Sequence, residues 1–316
     1  MSASLEHWPL VLFLAGPTTT GKTDLAVEIA ARFPCDIISV DSAMVYRGMD
    51  IGTAKPDRDL LSIAPHRLID ICDPSESYSA ARFRADALEV IRGIHAHGRI
   101  PLLVGGTMLY FEALERGLSR LPGADPGIRD RLVMEARELG WGVLHERLSR
   151  VDPAAAHRIH PNDPQRIQRA LEVHELTGRA MSELMNERDA EPFACHAVKI
   201  HIEVSDRARL HERIERRFRD MLAKGLLEEV ECLHRRGDLH AGLPSVRAVG
   251  YRQLWRYLDG EVTRETAIDQ AITATRQLAK RQLTWLRSEK RDAGFDSSDV
   301  KIREKVLKYV GAATHY

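Results

Sequence analysis

Cysteine is scarce in this chain, and the few cysteines present lie far apart. The 316 residues contain four of them, Cys35, Cys72, Cys195 and Cys232, and no C-x-x-C pair. Zinc knuckles and disulfide frameworks need closely spaced or numerous cysteines, so the sequence indicates neither. Small scaffolds that depend on such cross-links are therefore excluded.

Long hydrophobic runs are also lacking. The apolar stretch near the N-terminus, residues 10–15, has no basic segment before it. It is also much shorter than the roughly 20 apolar residues that a membrane-spanning helix needs. We therefore expect no signal peptide, no membrane span and a cytoplasmic protein.

The chain has no excess of charge of either sign. Lysine plus arginine and aspartate plus glutamate number 46 each, so the formal net charge is zero. The total charge therefore argues neither for nor against nucleic acid, and a basic surface for RNA would have to be local. With 44% hydrophobic and 29% charged residues, the composition is that of an ordinary globular protein of one or two domains.

A phosphate-binding loop is present, in the surroundings that it requires. Residues 16–23, GPTTTGKT, fit the pattern G-x-x-x-x-G-K-[ST], between a predicted buried strand and a predicted helix. In such a loop, glycines let several N–H groups surround an anion, Lys22 supplies a positive charge, and the Thr23 hydroxyl ligates Mg²⁺. The loop predicts a bound phosphate or diphosphate but not its identity. The expected binding residues are Gly16, Pro17, Thr18, Thr19, Thr20, Gly21, Lys22 and Thr23.

Two further predicted strands run into polar residues. The first ends at Asp41, for which three roles stay open: a general base, a ligand of Mg²⁺ through water, or a cap for the turn that follows. The second ends at Gly105, Gly106 and Thr107, whose hydroxyl is a candidate donor to a phosphate oxygen. Ligands of open α/β sheets lie beyond the carboxyl ends of the strands. Asp41 is therefore expected to face the same crevice as the loop.

The middle of the chain has a different character. A segment with proline and glycine at 121–126 indicates a boundary, the residues from there to about 189 are charged and helical, and Glu191-Pro192 marks the return. The sequence therefore predicts an α/β fold: a P-loop NTPase-like core with a parallel sheet flanked by helices, plus an all-helical insertion domain. The expected boundaries are 1–121 and 191–316 for the core and 122–190 for the insertion.

Two predicted helices carry many basic side chains. The first begins at Asp163-Pro164, a cap followed by proline, and is rich in glutamine and arginine. Such side chains bind bases and phosphates, but they are also good helix formers on a solvated face, and the residues by themselves favour the solvated face. The second spans 268–287, and its basic stripe is a local electrostatic footprint. The side chains of that stripe are Arg276, Lys280, Thr284 and Arg287.

Seven separated motifs follow one another along the chain: GPTTTGKT at 16–23, DSAMVY at 41–46, GTAKP at 52–56, GGTMLY at 105–110, NDPQRIQRAL at 162–171, VRAVGY at 246–251 and TRQLAKRQLTWLR at 275–287. The phosphate loop alone is widely shared, whereas the set of seven, in this order over nearly the full length, is highly specific. These seven motifs resemble those of one family, the bacterial tRNA dimethylallyltransferases, also called tRNA isopentenyltransferases.

The resemblance implies a reaction. It is the transfer of a dimethylallyl group from dimethylallyl diphosphate to N6 of the adenosine just 3′ of the anticodon, in tRNAs that read codons beginning with U. In the family the aspartate at the position of Asp41 is the general base, which favours the first of its three roles. Lys22, Thr107 and Mg²⁺ at Thr23 would stabilise the leaving diphosphate, and Arg217 matches a family position near it. The implied partners are the donor and the tRNA anticodon stem-loop, and nothing indicates more than a monomer.

The resemblance also implies which residues contact the tRNA, and it outweighs the solvated-face interpretation of the two basic helices. These residues are Asp41, Ser42, Ala43, Met44, Thr107, Arg129, Gln165, Arg166, Ile167, Gln168, Arg169, Arg247, Ala248, Val249, Gly250, Tyr251, Lys280, Arg281, Gln282, Leu283, Thr284, Trp285, Leu286 and Arg287.

Two alternatives share the phosphate loop. A small-molecule kinase would bind ATP there and would use Asp41 to activate a hydroxyl, but it has no use for a helical insertion or a basic helix. A non-catalytic RNA-binding ATPase would keep the RNA surface and would need no acid at position 41. The kinase is the first alternative, and phosphoryl transfer from ATP would identify it.

Overall fold

The computed structural model describes residues 9–119, 121–187 and 193–314, and it divides the chain into two compact units. One unit consists of Met1–Glu115 and Ala194–Tyr316, and the other of Arg116–Phe193. The predicted return from the insertion, at Glu191 and Pro192, lies outside the described residues.

The strands and helices alternate in the first part of the chain, and the middle part is helical. In chain order they are β1 (Leu10–Ala15), α1 (Lys22–Arg32), β2 (Cys35–Val40), α2 (Arg58–Ile63), β3 (His66–Arg67), α3 (Ala80–Ala96), β4 (Ile100–Gly105), α4 (Met108–Arg116), α5 (Pro126–Leu139), α6 (Trp141–Val151), α7 (Pro153–Arg158), α8 (Pro164–Thr177), α9 (Met181–Leu184), β5 (His196–Glu203), α10 (Arg207–Ala223), α11 (Leu226–His234), α12 (Tyr251–Leu258), α13 (Arg264–Ser288), β6 (Ala293–Asp296) and α14 (Ile302–Ala313).

The six strands form one parallel sheet in the order β3-β2-β4-β1-β5-β6. In β1 the sequence LVLFLA is apolar throughout, because a parallel strand covered by helices buries both of its faces. One core cluster joins Leu12 and Leu14 of β1 to Ile29 of α1, Ile200 of β5 and Val306 of α14. The predicted α/β fold with a parallel sheet flanked by helices is confirmed.

The carboxyl ends of three strands meet at one edge of this sheet. Gly16 N, just after β1, donates a hydrogen bond to Gly105 O at the end of β4 (3.3 Å). Thr107 N, just after β4, donates to Val40 O at the end of β2 (3.2 Å). These bonds place the phosphate loop, the glycine turn after β4 and Asp41 at the same edge.

The second unit is built from α5 to α9, and residues 121–187 contain no strand. Its own core includes Leu132, Leu148 and Ile167, each fully buried. The start of α8 agrees with the sequence prediction, since the Asp163 carboxylate accepts from Arg166 N (3.2 Å) and Pro164 occupies the first helical position.

None of the helices in the described parts of the chain combines the length and the apolar character needed to cross a membrane.

Candidate active site

The loop between β1 and α1 has a backbone shape suited to an anion. Thr19 and Gly21 have φ values of 64° and 80°, and left-handed residues in a turn direct successive N–H groups toward one side. The Thr20 hydroxyl donates to Pro17 O (2.8 Å), which closes the loop on itself. Helix α1 begins at Lys22, so its N-terminus adds partial positive charge at the same place.

Two desolvated cations face one carboxylate beside this loop. Lys22 Nζ donates to Pro17 O (2.5 Å), and Arg217 Nη1 of α10 lies 3.5 Å from Thr18 Oγ1. The pKa of Lys22 is lowered to about 7, mainly by burial and also by the charge of Arg217, while Asp41 acts in the opposite direction. Burial also lowers the pKa of Arg217, whereas the negative charge of Asp41 acts to raise it. An anion bound here would provide a negatively charged partner for Lys22 and Arg217, which burial removes from water.

Asp41 caps the turn that follows β2 and still has a free oxygen. Its Oδ1 accepts from Ala43 N (2.8 Å) and Met44 N (3.2 Å). No hydrogen bond from any described residue reaches Oδ2. The cap role is therefore observed, and it leaves Oδ2 available to accept a proton or to hold a ligand.

Thr107 ties the glycine turn after β4 to the segment after β2. Its Oγ1 accepts from Ser42 N (3.0 Å) and lies 3.4 Å from Ser42 Oγ. A hydrogen bond from this hydroxyl to a phosphate oxygen stays a prediction.

Two cavities of the first unit meet at Asp41. The phosphate cavity, about 870 Å³, is lined by the phosphate loop, including Lys22 and Thr23. The second cavity, about 600 Å³, is lined by Thr107, by residues from the 246–251 segment and by α13. Thr18, Asp41, Arg217 and Gln282 are among the residues that line both cavities. Ligands bound in the two cavities would therefore approach each other at the Asp41 carboxylate.

Several apolar side chains that sequence reasoning did not assign to the site line the second cavity. Phe218 and Met221 come from α10, and Leu109 of α4 is 56% exposed. For Met221 the available signal was helical spacing, because it follows Arg217 by four positions and so lies on the same face of α10.

The predicted RNA-contacting residues on α13 divide into exposed and buried groups. Arg281, Gln282 and Trp285 line the second cavity, and Gln282, Leu283 and Leu286 are buried within the first unit. Arg276, expected on the basic stripe, instead pairs with Glu215 of α10 (2.9 Å). The exposed members of the predicted set on this helix are Lys280, Arg281, Thr284 and Arg287.

Gln282 is hydrogen-bonded to the phosphate loop. Its Oε1 accepts from Thr18 N (3.0 Å), and its Nε2 donates to Gly106 O (2.8 Å). The side chain is thus engaged on both sides inside the protein.

Tyr251 is also engaged inside the protein. Its hydroxyl donates to Glu229 of α11, whose carboxylate also accepts from the N–H groups of Asp50, Ile51 and Gly52 at 2.7–3.1 Å. A Cβ at Gly52 would lie 2.5 Å from the Tyr251 ring, so only glycine fits there. The 52–56 and 246–251 motifs are therefore packed together. Of the predicted residues before Tyr251, Arg247, Ala248 and Val249 line the second cavity, and Gly250 caps α12.

In the second unit, two of the predicted RNA-contacting residues, Arg129 and Arg169, bind one buried carboxylate. Glu172 of α8 accepts from Arg129 (2.8 Å) and Arg169 (2.7 Å). Burial would raise the pKa of Glu172, but these hydrogen bonds outweigh it and the pKa is lowered. Gln168 Nε2 donates to Arg129 O (2.9 Å).

The remaining predicted residues of α8 differ in exposure. Ile167 is in the core, whereas Gln165 and Arg166 are exposed, with Arg166 3.4 Å from Asp163. RNA contacts by these residues and by those around Glu172 stay predictions.

Comparisons with known proteins agree with one another. The model of the family described as IPP transferase matches residues 44–289. A tRNA dimethylallyltransferase of Alkalilimnicola ehrlichii is 63% identical over 283 residues, which is 89% of each chain. The full-length tRNA isopentenylpyrophosphate transferase of Bacillus halodurans superimposes with a TM-score of 0.69 at 39% identity, over 96% of both chains. A eukaryotic dimethylallyltransferase, solved acting on tRNA, has a TM-score of 0.75 at 26% identity, over 96% of this chain and 78% of its own.

Proposed function

Because the chain belongs to the IPP transferase family, we propose that it transfers a dimethylallyl group from dimethylallyl diphosphate to N6 of the adenosine 3′ of the anticodon in tRNA. The observation that carries the proposal is the junction of the two cavities at Asp41. A diphosphate in the first cavity and an adenine in the second would bring donor and acceptor together there. The names of the relatives favour this transferase over a small-molecule kinase.

The phosphate cavity would hold the diphosphate of the donor. As the allylic C–O bond breaks, positive charge develops on the allyl carbon and negative charge on the leaving diphosphate. The loop N–H groups, Lys22 and Arg217 are fixed before the reaction and would stabilise that negative charge without rearranging. Phe218 and Met221, beside Arg217, offer an apolar surface for the dimethylallyl group.

The residues present fit a bound Mg²⁺. Thr23, Asp24 and Asp41 bring oxygen atoms to the phosphate cavity, and Mg²⁺ is commonly held by one or two protein oxygens together with substrate phosphates and water. In the described residues no group of three or more His, Cys, Asp and Glu side chains could hold a metal alone. Thr23 would ligate the ion, which would neutralise charge on the diphosphate.

The second cavity would hold the adenine, flipped out of the anticodon loop. The N6 lone pair is delocalised into the ring, so N6 becomes a better nucleophile only if its proton is removed as the new bond forms. Asp41 Oδ2 would take that proton while the N6–C bond forms and the C–O bond breaks. The lining of the second cavity includes Arg247, Arg281 and Trp285, side chains suited to contact phosphates and to stack on bases.

The proposal extends to the partners and the place of action. We expect the anticodon stem-loop to be the part of the tRNA that is recognised, with the exposed cations of α13 contacting its backbone. We expect the protein to act as a monomer in the cytoplasm.

Transfer of label tests this function directly. Dimethylallyl diphosphate labelled in the allyl group is incubated with the protein, Mg²⁺ and an anticodon stem-loop that carries adenosine 3′ of the anticodon. The matched control RNA carries inosine there, which lacks the N6 amine. Label in the first RNA and not in the second is expected. Absence of label in both RNAs, with phosphoryl transfer from ATP in a parallel reaction, would replace the proposal with a kinase.

A further inference from the structure

The side-chain amide of Gln282 joins two turns that both border the cavities. It connects Thr18, in the phosphate loop, to Gly106, in the turn after β4, and it is 8% exposed. Thr18 N can only donate and Gly106 O can only accept, so the two partners determine which end of the amide faces each. The glutamine side chain offers a neutral acceptor and a neutral donor on one terminal amide group.

We propose that Gln282 is a positioning residue of the donor site, which holds the phosphate loop in its diphosphate-binding shape, and not an RNA contact. This inference rests on the proposed function, because it assigns Gln282 to the binding of the diphosphate. Gln282 would act through Thr18, whose hydroxyl lies beside Arg217.

The close approach of Gly106 supports this assignment. A Cβ added at Gly106 would lie 2.4 Å from Gln282 Nε2 and 3.2 Å from Gly16 O. Real Cβ atoms do not approach this closely, so the backbone at 106 has to be glycine for the amide to reach its carbonyl. Gly106 and Gln282 are thus a matched pair that joins the turn after β4 to α13.

The position of Gln282 on its helix separates it from the exposed cations. Lys280 precedes it by two residues and is exposed, whereas Gln282 faces inward. Residues two apart on a helix point in different directions, so one can meet RNA while the other holds the loop. Substitutions at 280 and 282 should therefore affect different ligands.

The test replaces Gln282 with methionine, which has similar length and volume and forms neither hydrogen bond. Titration calorimetry with inorganic pyrophosphate and Mg²⁺, without RNA, gives the affinity of the donor site. Loss of the two bonds should raise the pyrophosphate Kd and the KM for the donor about tenfold. The Kd for the anticodon stem-loop should stay within about twofold. Lys280→Met, the control on the same helix, should weaken stem-loop binding and leave pyrophosphate binding unchanged.

Three outcomes would overturn the inference. Unchanged pyrophosphate affinity with weakened stem-loop binding in Gln282→Met would make Gln282 an RNA contact. Equal losses for both ligands would show a general structural role. Failure of the wild-type protein to bind pyrophosphate would reject the proposed function itself, and the inference with it.

A second variant covers the case in which Gln282→Met does not fold. Gly106→Ala keeps the glutamine but places a methyl group against its amide. It should also raise the pyrophosphate Kd about tenfold while stem-loop binding is kept. Unchanged pyrophosphate binding in this variant would contradict the inference.

Discussion

Replacing Asp41 with asparagine separates its proposed role as a base from its role as a cap. Asparagine keeps an oxygen that can accept from Ala43 N and Met44 N, as Oδ1 does at 2.8 and 3.2 Å. It replaces Oδ2 with an NH₂ group, which cannot take a proton. The turn after β2 is therefore preserved while the proton acceptor is removed.

The magnitude follows from these contacts. General-base help contributes about 10²–10⁴ in rate, or about 3–5 kcal/mol of barrier, so Asp41→Asn should lose at least about 10² in turnover. Asp41→Ala should lose as much and should also be less stable, since two N–H groups lose an acceptor worth about 1 kcal/mol each. Pyrophosphate should bind Asp41→Asn no more weakly than wild type, because the carboxylate partly neutralises Lys22 and Arg217.

The assay is a single-turnover transfer reaction, with enzyme in excess over stem-loop RNA and the donor at saturation. Calorimetry with pyrophosphate and binding of the RNA are measured on the same protein, and thermal melting compares Asp41→Asn with Asp41→Ala. A single-turnover rate within about threefold of wild type in Asp41→Asn would refute the base role. Weaker pyrophosphate binding that depends on Mg²⁺ would instead identify Asp41 as a ligand of the metal through water.

Three other predictions concern charged groups. The pKa of Lys22 is lowered to about 7, and anions bind its charged form. The affinity of the wild-type protein for pyrophosphate, divided by that of Lys22→Arg, should therefore fall as the pH rises above about 7. A ratio that stays constant in calorimetry between about pH 6 and pH 9 would contradict this. Replacing Lys280, Arg281 and Arg287 with glutamine should reduce the slope of log Kd for stem-loop RNA against log salt by about 2, at roughly 0.7 per contact; an unchanged slope would place the RNA elsewhere. His201 is buried, and burial together with neighbouring positive charges lowers its pKa to about 4. Between about pH 6.5 and pH 4, this side chain is therefore protonated in the unfolded chain and neutral in the folded protein. This difference should lower the free energy of unfolding by about 2–3 kcal/mol from pH 6.5 to pH 4, and urea titrations of His201→Gln should lack this contribution. The same pH dependence in wild type and His201→Gln would refute the prediction.

Local patterns were sufficient to predict the elements that form the site. The apolar run of β1, the glycine loop and α1 were located from the sequence, and so was the start of α8 at Asp163 and Pro164. These predictions succeed because each depends on residues a few positions apart: apolar spacing, a cap, a glycine with positive φ. The place of Asp41 at the same edge as the loop followed from the rule for parallel strand ends.

Residue type was a poor guide to the direction in which side chains of α8, α12 and α13 point. Arg169 pairs with the buried Glu172, Tyr251 with Glu229, and Arg276 with Glu215. An arginine or tyrosine in a helix is equally suited to RNA and to an internal carboxylate. The choice depends on which element packs beside it, and the local sequence does not contain that information.

The sequence by itself determined the fold class, the family and the presence of an anion-binding loop, because these follow from periodicity and from motifs in short segments. Only the tertiary structure decided that two cavities meet at Asp41, and that Gln282 faces the phosphate loop while Lys280 faces solvent. Thr18 and Gln282 are 264 residues apart in the chain, and their hydrogen bond exists only because α13 lies beside the turns that follow β1 and β4. Contacts of this kind depend on the packing of whole elements, which no local pattern specifies.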